Sequence, residues 1–220
     1  MLSAAIADLV LLALVAGLSP FPLVAAVVAA GSDEPATAPA FAAGWVAGLG
    51  TLAAVFFLVA GEIDPGRAGP DAWVQILAGA ALLLAAGLKW RGRPRRGAPA
   101  EPPRWMSPLD GAPASAFGIG AALGGANPKN LALAAAAAAT AHYHGLLGLR
   151  AALGALVFVG VGSSTVVGIV LAARLGGART AGLLAALKRF MLRYSNVITM
   201  AICGLAGVKL LYEGLSILLR

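Results

Sequence analysis

The chain consists of long apolar stretches separated by short polar ones. No Asp, Glu, Lys or Arg occurs in residues 9–32, 35–61, 72–88, 111–128 or 151–173. Each stretch is near or above the roughly 20 residues that cross the hydrocarbon core as a helix. None alternates apolar and polar residues with a period of two, which argues against a barrel. The pattern predicts an all-α, polytopic membrane protein.

Six transmembrane helices are predicted, with boundaries at glycines, prolines and charged turns. Their approximate ranges are 2–30, 40–60, 71–90, 114–140, 147–173 and 195–218. The first is interrupted at Ser-Pro-Phe-Pro (19–22) and the fourth at Asn-Pro-Lys-Asn (127–130). We expect one transmembrane domain over residues 1–220, with halves at about 1–90 and 114–220 and a polar cytoplasmic loop at about 91–113.

Composition agrees with a membrane location and excludes several other classes. Apolar residues make up 60% of the chain and charged residues 11%, whereas soluble domains carry roughly 25% charged residues. The single cysteine, Cys203, excludes a disulfide scaffold and a CxxC redox pair. No nucleophile with its base, paired catalytic carboxylates or metal cluster is apparent in the sequence. We therefore expect no enzymatic activity, no cofactor and no bound metal.

The basic residues indicate an orientation rather than nucleic-acid binding, although the net charge is +7. With six spans, the loops after the third and fifth helices lie on the same side, and the positive-inside rule places them in the cytoplasm. Both termini are then extracytoplasmic, in a bacterial cytoplasmic membrane. Those two loops hold Lys89, Arg91, Arg93, Arg95, Arg96, Arg104, Arg174, Arg179, Lys188, Arg189 and Arg193, against Arg67, Arg150 and Arg220 opposite.

Residues 180–193, in the second basic loop, are predicted to form a short amphipathic helix at the inner membrane surface. Leu183, Leu184, Leu187 and Met191 form its apolar face, and basic residues flank them. Such a helix binds anionic head groups. Ordinary orientation-setting charges are the alternative, and the sequence favours that simpler reading.

The two halves resemble each other, because each contains a proline-interrupted first helix preceded by glycine. An odd number of spans per half makes the halves enter the membrane in opposite senses, which gives an inverted 3+3 repeat. In secondary transporters, matched interrupted helices form the binding site near the bilayer midplane. The predicted substrate-binding residues are therefore Ser19, Pro20, Pro22, Asn127, Pro128, Lys129 and Asn130.

Lys129 is the strongest single candidate in this set. It falls near the middle of the fourth predicted span, where a charged side chain costs roughly 3 kcal/mol or more. Such residues usually face a cavity or a partner. An anionic substrate group, or a change of protonation state, explains a lysine at this depth.

Other polar residues are assigned secondary roles. Lys209 and Glu213 have i,i+4 spacing and are predicted to form an ion pair. Asp8 is a candidate for proton coupling or an interfacial acid. His142 and His144 are expected to be an exposed pair at the outer end of the fourth helix.

Small and hydroxyl residues are also assigned from the sequence. The glycines Gly44, Gly48, Gly118, Gly120 and Gly124 are predicted to permit close helix packing. For Ser163, Ser164 and Thr165, a polar path and hydrogen bonds between helices remain equal alternatives.

Three segments carry a resemblance to a known family: residues 18–23 (Leu-Ser-Pro-Phe-Pro-Leu), 41–45 (Phe-Ala-Ala-Gly-Trp) and 127–131 (Asn-Pro-Lys-Asn-Leu). They resemble the GAP family, the sulfolipid- and peptidoglycolipid-addressing proteins within the superfamily of the lysine exporter LysE. The resemblance implies a role in moving cell-envelope glycolipids across the cytoplasmic membrane. LysE-type amino-acid exporters carry more polar groups in the first helix, a departure that favours a lipidic substrate.

The sequence thus predicts a transporter of an envelope glycolipid or a related anionic amphiphile, working by alternating access between the two broken helices. One alternative is a LysE-type exporter of a small solute such as an amino acid. Another is a non-transporting assembly partner of lipid-biosynthesis enzymes. The expected partners are membrane lipids, with a homodimer and envelope-lipid biosynthesis proteins as further candidates, and no nucleic acid.

Overall fold

The computed structural model describes residues 2–62, 68–91, 104–109 and 111–219. The arginines at positions 67, 93, 95, 96 and 220, used above to predict orientation, lie outside the described residues, as do the side chains of Arg104 and Arg179. The described residues form eight α-helices and one 3-10 helix, which confirms the all-α prediction. In chain order these are α1 (Leu2–Gly17), α2 (Pro20–Ala30), α3 (Thr37–Gly61), α4 (Ala68–Arg91), the 3-10 helix (Arg104–Leu109), α5 (Pro113–Gly125), α6 (Pro128–Tyr143), α7 (Leu149–Leu175) and α8 (Gly177–Leu218).

Both predicted helix interruptions are present. The first separates α1 from α2, which meet at an angle of 58°, and the second separates α5 from α6. Pro20 and Pro128 each open the new helix, where a missing N–H costs nothing and the fixed φ suits the first turn. The residue before each proline, Ser19 or Asn127, is extended, as proline requires of its predecessor.

The number of membrane spans differs from the sequence prediction. Among the described residues, four helices are long and apolar enough to cross a membrane, and α1 with α2 gives a fifth if the bent pair is one span. At 13 and 16 residues, α5 and α6 are each shorter than the roughly 20 residues that a single crossing helix needs. Six spans are therefore not confirmed, because the second break leaves two short helices.

The region predicted as a separate amphipathic helix is part of α8, which runs without interruption for 42 residues. The predicted boundary near residue 194 was wrong, because residues 183–203 contain neither proline nor glycine and nothing there stops a helix. At 1.5 Å per residue, α8 is about 60 Å long, roughly twice the thickness of the hydrocarbon core.

Glycines bring α3 and α5 into backbone contact, the most extensive helix pairing together with α4 against α8. A Cβ at Gly44 would lie 2.0 Å from the carbonyl oxygen of Phe117, and one at Gly120 would lie 2.2 Å from that of Phe41. Gly48 and Gly124 are equally confined. The packing prediction is confirmed for these four glycines and wrong for Gly118, which has open space beside it.

The broken helices lie among the others. α1 packs against α6 and α7, α2 packs against α7 and α8, and α6 packs against α3 and α4. Among the described residues, the three largest fully buried side chains are Trp45 and Phe41 of α3 and Phe158 of α7. This arrangement places the first break beside the first turn of α6.

Candidate functional site

The end of α1 presents carbonyl groups that its own helix cannot satisfy. The N–H of Leu18 donates to the carbonyl of Leu14 at 2.9 Å, but Pro20 has no N–H to continue the series. A helix end that is buried without hydrogen-bond partners costs free energy, because its carbonyl groups have lost their hydrogen bonds to water. The carbonyls of Val15, Ala16 and Gly17 therefore need donors from elsewhere in the protein.

Those donors are two side chains from the second half of the chain. The ammonium nitrogen of Lys129 donates to the carbonyl oxygens of Val15 at 2.6 Å and Ala16 at 3.1 Å. The hydroxyl of Thr165, on α7, donates to the carbonyl of Gly17 at 2.9 Å. A positive charge at a helix C-terminus is also favoured by the helix dipole. Lys129 thus closes the broken end of α1 from the first turn of α6.

The second break is closed by residues on either side of Lys129. The side-chain oxygen of Asn127 accepts a hydrogen bond from the N–H of Lys129 at 3.0 Å and caps α6. The amide nitrogen of Asn130 donates to the carbonyls of Leu123 at 3.1 Å and Gly124 at 3.0 Å, at the end of α5. One short segment, residues 127–130, therefore holds both interruptions together.

The other predicted substrate-binding residues differ in exposure. Ser19, Pro20 and Pro22 are buried, and Ser19 makes no side-chain capping bond. Pro128 is exposed, and Lys129 is partly exposed. Asn130 is fully buried, and its side-chain oxygen has no hydrogen-bond partner among the described residues. The site therefore combines a cation with an unused acceptor on adjacent residues.

Asp8, Lys209 and Glu213, the secondary candidates, form one charged cluster. Lys209 pairs with Glu213 one turn away, as predicted, and also with Asp8 of α1 at 2.9 Å. His144 lies near the same carboxylate, with 3.7 Å between its Nε2 and an oxygen of Asp8. The side chains of this cluster are about a quarter exposed. The cluster connects α1 to α8 and to the end of α6.

The expectation that His142 is exposed was wrong. Its side chain is 3% exposed, and its Nδ1 lies 2.7 Å from a carboxylate oxygen of Asp71, which is 4% exposed. One turn along the same helices, the amide of Gln75 donates to the hydroxyl of Thr140 at 3.4 Å. Sequence reasoning missed this pair because its members are 71 residues apart; the available signal was Asp71 and Gln75 at i,i+4 in an apolar helix.

The three hydroxyl residues of α7 have different roles. Thr165 bonds across to α1, whereas Ser164 bonds within α7 to the carbonyl of Val161. The hydroxyl of Ser163 is buried without a partner in the described part of the chain. Of these three hydroxyl groups, only that of Thr165 forms a hydrogen bond between helices in the described part of the chain.

A cavity of about 270 Å³ lies between α2, α7 and the first turns of α8. Its lining is mainly apolar, including Val27 and Leu184, and Lys188 contributes a positive charge. Lys188 and Leu184 belong to the segment predicted to lie at the inner membrane surface, and the cavity lies at the end of the molecule predicted to be cytoplasmic. Its mainly apolar lining and its one lysine suit an alkyl chain beside an anionic group.

Comparison with known proteins supports a link to lipids. No curated protein and no solved structure matches the chain significantly. The model of one protein family, described as Sap, sulfolipid-1-addressing protein, matches residues 9–216. That match covers both broken helices, the Lys129 site and nearly all of the chain, and it confirms the GAP-family resemblance. The chain therefore belongs to the family of the sulfolipid-1-addressing protein Sap.

Proposed function

We propose that this protein moves an envelope glycolipid or a related anionic amphiphile across the bacterial cytoplasmic membrane. The observation that carries the proposal is the ammonium of Lys129, held at the junction of two broken helices. Family membership supports a role linked to lipid handling. The residues at the breaks supply the chemistry that a charged, hydroxyl-bearing head group needs.

The contacts of Lys129 suggest how a head group is bound. An ammonium has three N–H donors, and two are used by the carbonyls of α1. A sulfate or phosphate group forms stronger, charge-assisted hydrogen bonds than a neutral carbonyl. An anionic head group therefore competes with Val15 and Ala16 for the ammonium and releases the end of α1.

Asn130 complements this charge. Its side-chain oxygen, which has no partner within the described part of the chain, is an acceptor for a sugar hydroxyl once movement at the break gives access to it. Lipid tails remain in the bilayer, and the cavity beside Lys188 is where an amphiphile first meets the protein on the cytoplasmic side. This division places polar recognition inside the protein and apolar recognition at its lipid-facing surface.

Alternating access is proposed on the basis of the helix contacts. If α1, α2, α3 and α4 are exchanged for α5, α6, α7 and α8, the α3–α5 contact becomes the α7–α1 contact. In the same way, the α4–α6 contact becomes the α8–α2 contact. Such a pattern is expected of an inverted 3+3 repeat, in which the halves exchange conformations around a fixed site. Six spans in such a repeat leave both termini on one side of the membrane, and we infer from the positive-inside rule that this side is outside the cytoplasm. An inverted repeat is also the architecture expected within the LysE superfamily.

The test is movement of a fluorescent sulfated glycolipid across proteoliposomes that contain the purified protein. A neutral glycolipid with the same chains serves as the substrate control. Lys129→Met removes the charge, and Thr165→Val is the matched variant, because it removes an uncharged cap from the same helix end. We expect Lys129→Met to slow movement of the sulfated probe at least about tenfold, which corresponds to about 1.4 kcal/mol of lost interaction. Thr165→Val should slow the sulfated and the neutral probe to the same extent, and by less than Lys129→Met slows the sulfated one.

If Lys129→Met slows the sulfated and the neutral probe equally, Lys129 does not bind the anionic head group. Its role is then only to cap the end of α1. Radiolabelled lysine tested in the same vesicles separates lipid movement from export of a small solute. Lysine movement without movement of the sulfated probe would support the solute exporter.

The capping contacts of Lys129 favour one second candidate, a non-transporting assembly partner of lipid-biosynthesis enzymes. In that role the lysine only stabilises α1, and the basic residues near the cytoplasmic end bind the partner enzyme. Neutralising Lys188, Arg189 and Arg193 then abolishes the cellular lipid phenotype, whereas Lys129→Met in a well-expressed protein leaves it intact. The transporter predicts that Lys129→Met abolishes the phenotype, so this variant separates the two candidates.

A further inference from the structure

The Asp71–His142 pair is a polar site that the proposed transport of lipid does not use. It joins the first turn of α4 to the last turn of α6 with a 2.7 Å contact. Both side chains are more than nine-tenths buried. Burying such groups costs free energy, and ionisable residues within membrane helices usually have a function.

A purely mechanical role does not require ionisable groups at this position. Gln75 and Thr140 already tie α4 to α6 one turn away through an uncharged hydrogen bond. Amides or apolar side chains at positions 71 and 142 would make the same connection at a lower desolvation cost. The Asp71–His142 pair differs from the Gln75–Thr140 pair in that its side chains can be ionised.

His142 lies beside a small cavity near the surface of the protein, and the other residues that line this cavity are apolar. His142 lines a small cavity of about 10 Å³ with Gly61 of α3 and Leu146, at the end of the molecule predicted to face outward. That volume is near the lower limit for one water molecule. Gly61 and the adjacent Glu62 are exposed, so the cavity lies close to bulk water.

The position of the pair links it to the Lys129 site. His142 and Lys129 lie on the same helix, thirteen residues or about 20 Å apart. α6 therefore carries the head-group site at one end and the ionisable pair at the other. A shift of α6 against α4 would therefore move Lys129 and Asn130, the residues that contact both breaks.

We propose that Asp71 and His142 form the proton-binding site that couples lipid movement to the proton gradient. With a neutral imidazole, the pair carries one negative charge; uptake of one proton from the outer side makes the pair neutral overall. A neutral pair moves through an apolar interior at much lower cost than a charged one. Proton uptake therefore permits α6 to shift against α4, and release on the cytoplasmic side resets the pair. This inference rests on the proposed transport function.

Other titratable groups lie on the elements packed around the pair. They are Asp8 of α1, Lys209 and Glu213 of α8, and His144 just beyond α6, which associate with one another. α3 and α7 contribute groups at their ends only: Glu62 beyond α3, and Arg150 and Arg174 at the two ends of α7, all of them exposed. An experiment must therefore separate His142 from His144.

The sequence makes that separation simple, because the chain contains only two histidines. In His144→Gln, purified through a tag without histidine, His142 is the sole imidazole. Its ¹⁵N resonances in lipid nanodiscs report its protonation state from about pH 5 to about pH 9. We expect a one-proton transition in this range. Asp71→Asn should shift its midpoint by at least about one pH unit, whereas the matched variant Gln75→Ala should not.

Coupling is measured with the sulfated probe in vesicles that carry a pH gradient. We expect the gradient to accelerate the probe in the wild type and in Gln75→Ala, and to have no effect in Asp71→Asn or His142→Gln. An imidazole that never titrates while the protein stays folded would overturn the inference, as would probe movement that ignores the gradient. Neither outcome contradicts the transport proposal. If the pair titrates but the probe does not move in any vesicle, transport and its coupling are contradicted, and only proton binding by the pair is supported.

Discussion

The ammonium nitrogen of Lys129 lies 2.6 Å from the carbonyl oxygen of Val15, a residue 114 positions earlier in the chain. This contact joins the first turn of α6 to the last turn of α1. A lysine that the sequence marks as out of place in an apolar span therefore stabilises the other broken helix. The same contact links the two interruptions, because the first leaves carbonyl groups without donors and the second carries the ammonium group that donates to them.

Removing the donors at this junction is expected to destabilise the protein in a graded way. Lys129→Met leaves the carbonyls of Val15 and Ala16 without donors and should cost about 1–3 kcal/mol, the usual cost of unsatisfied buried groups. Thr165→Val affects only Gly17 and should cost about 1 kcal/mol. Thermal unfolding in detergent measures both. A Lys129→Met protein as stable as the wild type would contradict the capping role.

The contact between α3 and α5 should not tolerate a methyl group. Gly44→Ala places a Cβ about 2.0 Å from the carbonyl oxygen of Phe117 and forces the two helices apart, at a cost of about 1–3 kcal/mol. Gly50→Ala, six residues along the same helix, is the matched control because its Cβ meets nothing within 4 Å. We expect this control to be neutral or to stabilise by up to about 1 kcal/mol. Equal effects of the two substitutions on unfolding would show that this packing is wrong.

The charged cluster should depend on its single lysine. Lys209→Met leaves Asp8 and Glu213 close together without the ammonium group that pairs with both. Because these side chains are about a quarter exposed, we expect a loss of about 1–3 kcal/mol, below the 3–5 kcal/mol typical of a fully buried pair. The triple variant with Asp8→Asn and Glu213→Gln should recover most of the loss. A triple variant less stable than Lys209→Met alone would indicate that the carboxylates have other partners.

The predicted orientation can be tested by cysteine labelling, since the only natural thiol, Cys203, is buried. Leu147→Cys and Arg189→Cys each introduce an exposed thiol, at opposite ends of the molecule. With both termini outside, a membrane-impermeant maleimide labels position 147 in intact cells and position 189 only after lysis. The opposite pattern would reverse the topology.

The sequence by itself determined the membrane class, the helical content and both interruptions. These features depend on local chemistry: long runs without charge, and prolines that end one helix and begin the next. It also identified Lys129 and the Lys209–Glu213 pair, because a lone charge in an apolar run and an i,i+4 spacing are both visible along the chain. The family resemblance came from these two broken segments together with residues 41–45.

Only the tertiary structure decided which partners these residues have. The donors to α1 come from α6 and α7, and the partner of His142 comes from α4, because helix packing brings together residues that are 71 to 148 positions apart. The continuity of α8 also lay beyond the sequence prediction, because a change from amphipathic to apolar composition alters a helix's surroundings and does not by itself break the helix. Local pattern determines where helices begin and end at prolines and glycines, whereas long-range packing decides which polar groups they bring together.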